Sequence, residues 1–438
     1  MSIPVVTVGE AQDDLVGGLE RLHGPVTVVR RCAELAELLA ACQSGLARAA
    51  VVAEGSGELT ASLVDRLGAV GVAIIALTDN AEESTRLQGI GVSAVISSVE
   101  SAALAERISE AVAQFSGHRP TTSGLRDHGF AETGAALRPG PAEPAEARES
   151  AGTGKVIAVW GPAGSPGRTL MAVNMAGELA NEGKSVLLID ADSYGASVGA
   201  VLGLLDEAAG LAQACRLADQ GLLDTESLLR VAAPVAMKKS GTFRVLTGIT
   251  RADRWSELRA SALALVLERA KEVAEVVVVD TGFCLEADEE LSFDTMAPRR
   301  NAATLRSLEL ADKVFAVGSA DSIGVPRLVR GLAELHAAVP GLEPEIVLNK
   351  VRASAVGRSP ERQLREAWER FGPATAITAF LPADPGAADA ALLSGSLLLE
   401  AAPDSRLREG IADLVCARDQ RNRRSSVLTP TAKRRIRG

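Results

Sequence analysis

The chain has 438 residues, of which 47% are hydrophobic and only 3% aromatic, and its formal net charge is −10. This length exceeds what one compact core covers and predicts two domains, while the acidic balance argues against nucleic-acid binding by the whole chain. No run approaches the roughly 20 apolar residues that span a bilayer, and no secretory signal peptide is recognisable. We therefore expect a cytoplasmic protein.

The first part of the chain, residues 1–116, alternates short apolar runs with helical segments. Five strands interleaved with helices predict a small doubly wound α/β domain. The pattern resembles a response-regulator receiver, but Ala53 and Glu54 stand where a receiver has an Asp after its third strand. We predict a receiver-like (βα)5 domain that accepts no phosphate and serves for docking or dimerisation. The five predicted strands lie near residues 5–8, 26–29, 50–53, 72–77 and 94–97.

The composition changes over residues 117–154, which are rich in Pro, Gly, Ala and Glu and predict a disordered linker. From residue 155 the α/β alternation returns and predicts a larger, doubly wound, mainly parallel-sheet domain over 155–415. Residues 416–438 predict a flexible basic tail, either simply solvated or in contact with an anionic membrane surface or DNA. The predicted strands of the larger domain lie near residues 156–160, 185–190, 243–247, 275–280, 313–317, 344–348 and 377–380.

One stretch of the larger domain, residues 156–192, has the pattern of a phosphate-binding strand, loop and helix. Its Gly- and Pro-rich loop ends in Gly167-Arg168-Thr169. Such a loop presents backbone N–H groups to an anion at a helix N-terminus, and the Thr169 hydroxyl is a hard oxygen ligand for Mg²⁺. The loop predicts a nucleotide site that includes Gly164, Ser165, Gly167, Arg168, Thr169 and Leu170.

The loop departs from the usual pattern G-x-x-x-x-G-K-[ST] at two positions. Arg168 stands in place of the Lys, and Pro162 stands in place of the first Gly. An arginine is a planar fork and a lysine is a compact point charge, so the two reach phosphate oxygens from different angles.

Candidate site residues lie at the ends of four other predicted strands of this domain. Asp190 and Asp192 end the second strand, and Asp280 ends the apolar run VVVVD. These carboxylates are placed to hold magnesium and orient water. The side-chain amide of Asn349 is placed to read the adenine edge, and Pro382 lies in the segment expected near the base.

These motifs together resemble the MinD/ParA family of P-loop ATPases, most closely its CpaE-like (TadZ-like) branch, of the actinobacterial type associated with septum-site and secretion loci. The matching segments cover nearly all of residues 155–415: GPAGSPGRTLMAVNMAGELA, GKSVLLIDADSYGASVGAVLGL, EVVVVDTG, NAATLRSLELADKVFAVGSADSIGVPRLVR, VLNK and LPADPGAADAALLSGSLLLEAAP.

The resemblance implies ATP and Mg²⁺ as ligands and a homodimer that forms around the nucleotide. It implies that Asp192 polarises the attacking water, that Thr169, Asp190 and Asp280 surround Mg²⁺, and that Asn349 lies at adenine. It also implies a pilus, secretion or cell-division protein as partner, and a place at a membrane, cell pole or septum.

Two lysines of the family's loop are replaced in this chain. The first Lys of the family's loop, which crosses the dimer to the partner's phosphates, corresponds to Ala163 here, and the second corresponds to Arg168. We therefore expect slow hydrolysis or none. Three functions stay open: a slow positioning ATPase, a non-catalytic nucleotide-binding scaffold or regulator of cell division, and a DNA-partitioning ATPase.

Overall fold

The computed structural model describes residues 2–9, 15–22, 24–116, 154–204, 209–238, 241–287 and 298–416. Except for Gly154 and Cys416, the predicted linker and basic tail lie outside the described residues. The chain forms two sheets, one of five strands and one of eight. Among the described residues, no helix has the length and apolar character needed to cross a bilayer.

The five-stranded sheet is parallel throughout, with the strand order β2-β1-β3-β4-β5. This order is that of a doubly wound sheet, so the α/β prediction for the first part of the chain is confirmed. Its strands are β1 (Ile3–Val8), β2 (Val26–Cys32), β3 (Ala49–Val52), β4 (Ala73–Leu77) and β5 (Ser93–Val95). Its helices are Leu15–Arg21, Leu35–Gln43, Ala61–Ala69, Ala81–Gly89 and Ser101–Ser116, with a 3-10 turn at Ser56–Glu58.

The eight-stranded sheet has the order β13-β12-β11-β6-β10-β7-β9-β8. All neighbours are parallel except β8, which is antiparallel to β9, so the mainly parallel sheet is also confirmed. Its strands are β6 (Lys155–Trp160), β7 (Val186–Ala191), β8 (Ala233–Ala236), β9 (Thr242–Leu246), β10 (Val276–Thr281), β11 (Lys313–Ser319), β12 (Glu345–Val351) and β13 (Ile377–Pro382).

Helices cover both faces of this sheet, which explains why its central strands are apolar along their whole length. The helices are Arg168–Asn181, Val198–Val201, Gly210–Asp219, Thr225–Val231, Ala260–Val273, Ala302–Glu309, Gly324–Ala338, Ala353–Val356, Pro360–Phe371, Pro385–Ser394, Leu398–Ala401 and Arg406–Val415, with a 3-10 turn at Ala252–Glu257.

The strand order determines where the polar strand ends meet. Strand β10 lies between β6 and β7, and Asp280 of β10 pairs in register with Asp190 of β7. Because parallel strands end at the same edge, the loop after β6 and the carboxylates after β7 and β10 converge there. In open α/β sheets, that carboxyl edge is where ligands bind.

Candidate nucleotide-binding site

The loop 161–167 joins β6 to the helix Arg168–Asn181 through three residues with left-handed backbone. Gly164, Ser165 and Gly167 have φ of 115°, 53° and 100°. A glycine is required at 167 for a second reason, because a Cβ there would lie 2.4 Å from Nδ2 of Asn349. The loop therefore turns sharply and its last residue packs directly against the end of β12.

A cleft of about 850 Å³ opens beside this loop. It is lined by most of the predicted site residues, namely Ser165, Gly167, Arg168, Thr169, Leu170, Asp192, Asn349 and Pro382. Gly164 faces instead a separate cavity of about 190 Å³ that it shares with Ala163 and Arg327. Asp190 and Asp280 are buried at the strand ends and do not line the cleft.

The hydroxyl of Thr169 donates a 2.6 Å hydrogen bond to Oδ2 of Asp280. Asp280 is 1% exposed, and its other oxygen, Oδ1, is buried without a hydrogen-bond partner. An unpaired buried carboxylate oxygen is costly, so it points to a ligand or water that completes the site. Two of the three residues that the sequence predicted for Mg²⁺, Thr169 in the first helical turn and Asp280 at a strand end, are thus in contact.

Asp190 accepts its hydrogen bonds from the loop that follows its own strand. Its Oδ2 accepts from the backbone N–H groups of Ser197 and Val198, both at 2.9 Å, and its Oδ1 accepts from that of Asp192 at 3.3 Å. Asp190 therefore shapes this loop, in addition to lying next to Asp280 in the sheet.

The pKa of Asp190 is raised to about 6, chiefly by burial and to a smaller extent by the neighbouring Asp192 carboxylate. Burial also raises the pKa of Asp280 well above its ordinary value, with Asp190 as the next cause. A cation reverses this effect because it favours the charged form of a carboxylate. The described residues contain no group of three or more His, Cys, Asp or Glu arranged to hold a metal ion.

Arg168 lies folded back over the loop. Its Nη1 donates to the carbonyl oxygens of Gly161 at 2.9 Å and Pro162 at 3.4 Å, and its Nη2 lies 3.2 Å from Oδ2 of Asp192. The Arg168 and Asp192 side chains are only 12% and 8% exposed. The other oxygen of Asp192 accepts from the backbone N–H groups of Tyr194 and Gly195. Both oxygens of Asp192 are thus occupied within the protein.

Asn349 holds the loop 161–167 in place. Its Nδ2 donates to the carbonyl of Pro166 at 2.8 Å, and its Oδ1 accepts from the backbone of Lys350 at 2.8 Å. Lys350, a cleft residue that the sequence analysis did not select, has a left-handed φ of 59° and its Nζ donates to the carbonyl of Ser165. A non-glycine residue in that conformation next to a cleft is a sign of function, but the sequence alone does not show φ.

No protein-family model matches the chain, and no protein of curated function is similar to it in sequence. Several solved structures are similar to part of the chain. A ParA family ATPase from Chlorobium tepidum TLS is 19% identical, with a TM-score of 0.48 over 60% of this chain and 99% of that one. The septum site-determining protein MinD with Mg-ADP from Pyrococcus horikoshii OT3 is 19% identical, with a TM-score of 0.44 over 60% and 94%.

A third structure, the MinC:MinD cell division protein complex of Aquifex aeolicus, is 18% identical with a TM-score of 0.43, over 64% of this chain and 99% of that one. These neighbours carry the names ParA and MinD. For this chain the MinD/ParA resemblance and its CpaE-like branch stay predictions.

Proposed function

We propose that the chain is a MinD/ParA-type protein that binds ATP with Mg²⁺ in the cleft beside the loop 161–167. The observation that carries the proposal is the contact of Thr169 with Asp280, whose second oxygen is buried and unpaired. A hydroxyl and a carboxylate at the end of a phosphate-type loop are the oxygen ligands that Mg²⁺ takes alongside nucleotide phosphates.

Each residue has a defined task in this proposal. The N–H groups of the loop and of the first helical turn bind phosphate oxygens, and Asn349 and Lys350 hold the loop in shape. Thr169 and Asp280 would hold the metal, which neutralises phosphate charge when it is bound, with Asp190 behind them. Pro382 and Asn349 line the cleft, and we propose that they lie at its base end, where the Asn349 amide would meet adenine in place of Pro166.

Asp192 is the residue that would orient water for hydrolysis, and Arg168 restrains it. With one oxygen on Arg168 and the other on two backbone amides, Asp192 has little capacity left for a water. We therefore propose slow turnover, in a homodimer that positions a pilus, secretion or septum-site complex.

The second candidate is a non-catalytic nucleotide-binding scaffold. The same Arg168–Asp192 contact favours it, because a chain that never hydrolyses ATP loses nothing by keeping Asp192 paired. The two candidates agree on binding and differ only in turnover.

Equilibrium titration of the full chain with fluorescent ATP and ADP, with and without Mg²⁺, tests the shared part. We expect ATP binding that Mg²⁺ strengthens and that Thr169→Ala weakens about tenfold or more, because the substitution removes the metal-facing hydroxyl. Ser185→Ala, which removes a hydroxyl remote from the cleft, is the matched control. Unchanged affinity in Thr169→Ala would show that the loop is not the phosphate site.

A further inference from the structure

A hydrogen-bonded cluster joins the loop after β7 to the loop after β10, and no motif in the sequence indicated it. Its centre is Tyr194, the one tyrosine of the chain. The Tyr194 hydroxyl donates a 2.9 Å hydrogen bond to Oδ1 of Asn301. The Tyr194 ring lies 4.9 Å from the ring of Phe283, and the guanidinium carbon of Arg300 lies 4.1 Å from its centre.

Asn301 connects the two loops because it uses both ends of its amide. Its oxygen accepts from Tyr194 of the first loop, and its nitrogen donates to the carbonyl of Glu286 in the second loop at 2.7 Å. The same nitrogen lies 3.4 Å from Sγ of Cys284. Asn301 is 1% exposed, and a buried amide that loses a partner is costly. The two loops therefore share one buried bridging residue.

The cluster also reaches the water-orienting carboxylate. The backbone N–H of Tyr194 donates to Oδ1 of Asp192 at 2.9 Å, so the position of Tyr194 helps to fix that of Asp192. On the other side, Nε1 of Trp160 donates to the carbonyl of Phe283 at 3.3 Å and ties the second loop to β6. A displacement of either loop must therefore break or carry along contacts of the other.

We propose that Tyr194 and Asn301 are positioning residues that make the two loops move as one unit, so that a ligand in the cleft that displaces either loop also moves Asp192. The response to nucleotide rests on the proposed function. The coupling itself is a property of the chain without ligand, and it can be measured separately. The alternative is that the cluster only fills space and each loop opens alone.

Amide hydrogen exchange of the full chain, followed by mass spectrometry of peptides from residues 192–198 and 282–287, distinguishes the two. Tyr194→Phe removes one hydroxyl and keeps the ring contacts, so it leaves the fold in place. We expect it to speed exchange in both loops about two- to tenfold, the effect of losing one hydrogen bond. Asn301→Ala should act on both loops as well, and the double variant should add little to Asn301→Ala, because both changes break the same bond.

Thr85→Ala is the control, since it removes an exposed hydroxyl hydrogen bond to Ala81 far from the cleft and should leave both loops unchanged. Faster exchange confined to 192–198 in Tyr194→Phe would overturn the proposal, as would additive effects in the double variant.

Adding ATP and Mg²⁺ then tests the response. In the unsubstituted chain we expect protection of residues 161–170 and of both loops. In Tyr194→Phe we expect protection of 161–170 with reduced protection of 282–287, a separation that mere loss of stability does not produce. Absence of any protection in the unsubstituted chain would contradict nucleotide binding, while the coupling measured without ligand would stand. Full protection of both loops in Tyr194→Phe would contradict the coupled response.

Discussion

Arg168 contacts Asp192, a role that its position in the sequence did not suggest. In the sequence it is a bulkier replacement for a phosphate-binding lysine. In the structure its guanidinium also lies on Asp192, which a lysine would not hold through the same planar fork. The chain thus lacks a cation at 163 and keeps paired Asp192, the carboxylate that we propose to orient water. Both features act in the same direction, toward slow turnover.

Restoring lysines at both positions tests this account. We expect Ala163→Lys with Arg168→Lys to raise ATP turnover at least about tenfold, because a cation of the arginine-finger kind is worth about 10³–10⁵ in rate and because Asp192 is released. Steady-state phosphate release is the measurement, and adding Asp192→Ala should abolish the gain. An unchanged rate in a variant that still binds ATP and dimerises would favour the scaffold.

Single residues of the site could be predicted to different degrees. Thr169, Asp190, Asp192 and Asp280 were predictable because their place after a loop or strand fixes their neighbourhood. The hydrogen bond from Asn349 to Pro166 could not be predicted, because it depends on how closely β12 approaches the loop 161–167. The hydrogen bond between Tyr194 and Asn301 joins residues 107 positions apart. No pattern in the sequence pairs these two residues.

Among the secondary-structure elements, nearly all of the strands could be predicted from the sequence. Each of the twelve predicted strands is present within a few residues, because buried parallel strands are continuous apolar runs between loops. Strand β8 was missed. It has four residues and contains Pro234, and it lies at the sheet edge, where proline is tolerated.

The helix Arg406–Val415 is fixed to the helix Arg168–Asn181 by a largely buried ion pair. Arg408 donates to Glu178 through Nε at 2.6 Å and Nη2 at 2.7 Å, and the Glu178 side chain is 3% exposed. The helix Arg168–Asn181 thus receives its outer support from a segment more than 200 positions further along the chain.

Arg408→Ala leaves Glu178 buried without its partner, so we expect a loss of about 3–5 kcal/mol in the free energy of unfolding. Urea unfolding followed by circular dichroism measures it. Arg230→Ala breaks an exposed pair with Glu226, in which the side chains are 70% and 84% exposed, and should cost less than about 1 kcal/mol. Equal losses in the two variants would show that the Arg408–Glu178 pair contributes no more to stability than an exposed ion pair.

At the scale of the whole molecule, the five-stranded unit is docked on the eight-stranded unit. The backbone N–H and the hydroxyl of Ser62 donate to Oδ1 of Asp219, at 2.8 Å and 2.5 Å. Arg86 donates to the carbonyl of Gln220 at 3.0 Å, and Leu265 of the larger unit packs against the core of the smaller one. The sequence predicted a docking or dimerising module, but composition and periodicity cannot identify a docking face.

The helix Gly210–Asp219 contacts the smaller unit at its C-terminal end, and its N-terminal end lies near the site. Gly210, at the start of Gly210–Asp219, donates to Oγ1 of Thr247. One residue further, Gly248 lies so close to Asp190 that a Cβ there would be 2.8 Å from its carboxyl carbon. A single helix therefore runs from the docking contact to the segment that packs on Asp190.

Asp219→Ala should loosen this docking. It removes the acceptor of two hydrogen bonds from Ser62, a loss of about 1–3 kcal/mol in the docking free energy, and we expect the units to separate part of the time. Small-angle X-ray scattering of the full chain should then give a larger radius of gyration, and thermal unfolding should broaden or divide into two transitions. Asp253→Ala, which removes an exposed carboxylate paired with Arg251, is the control and should change neither. If Asp219→Ala keeps the radius and the single transition of the unsubstituted chain, the Arg86 contact with Gln220 and the apolar packing around Leu265 hold the units together without Asp219.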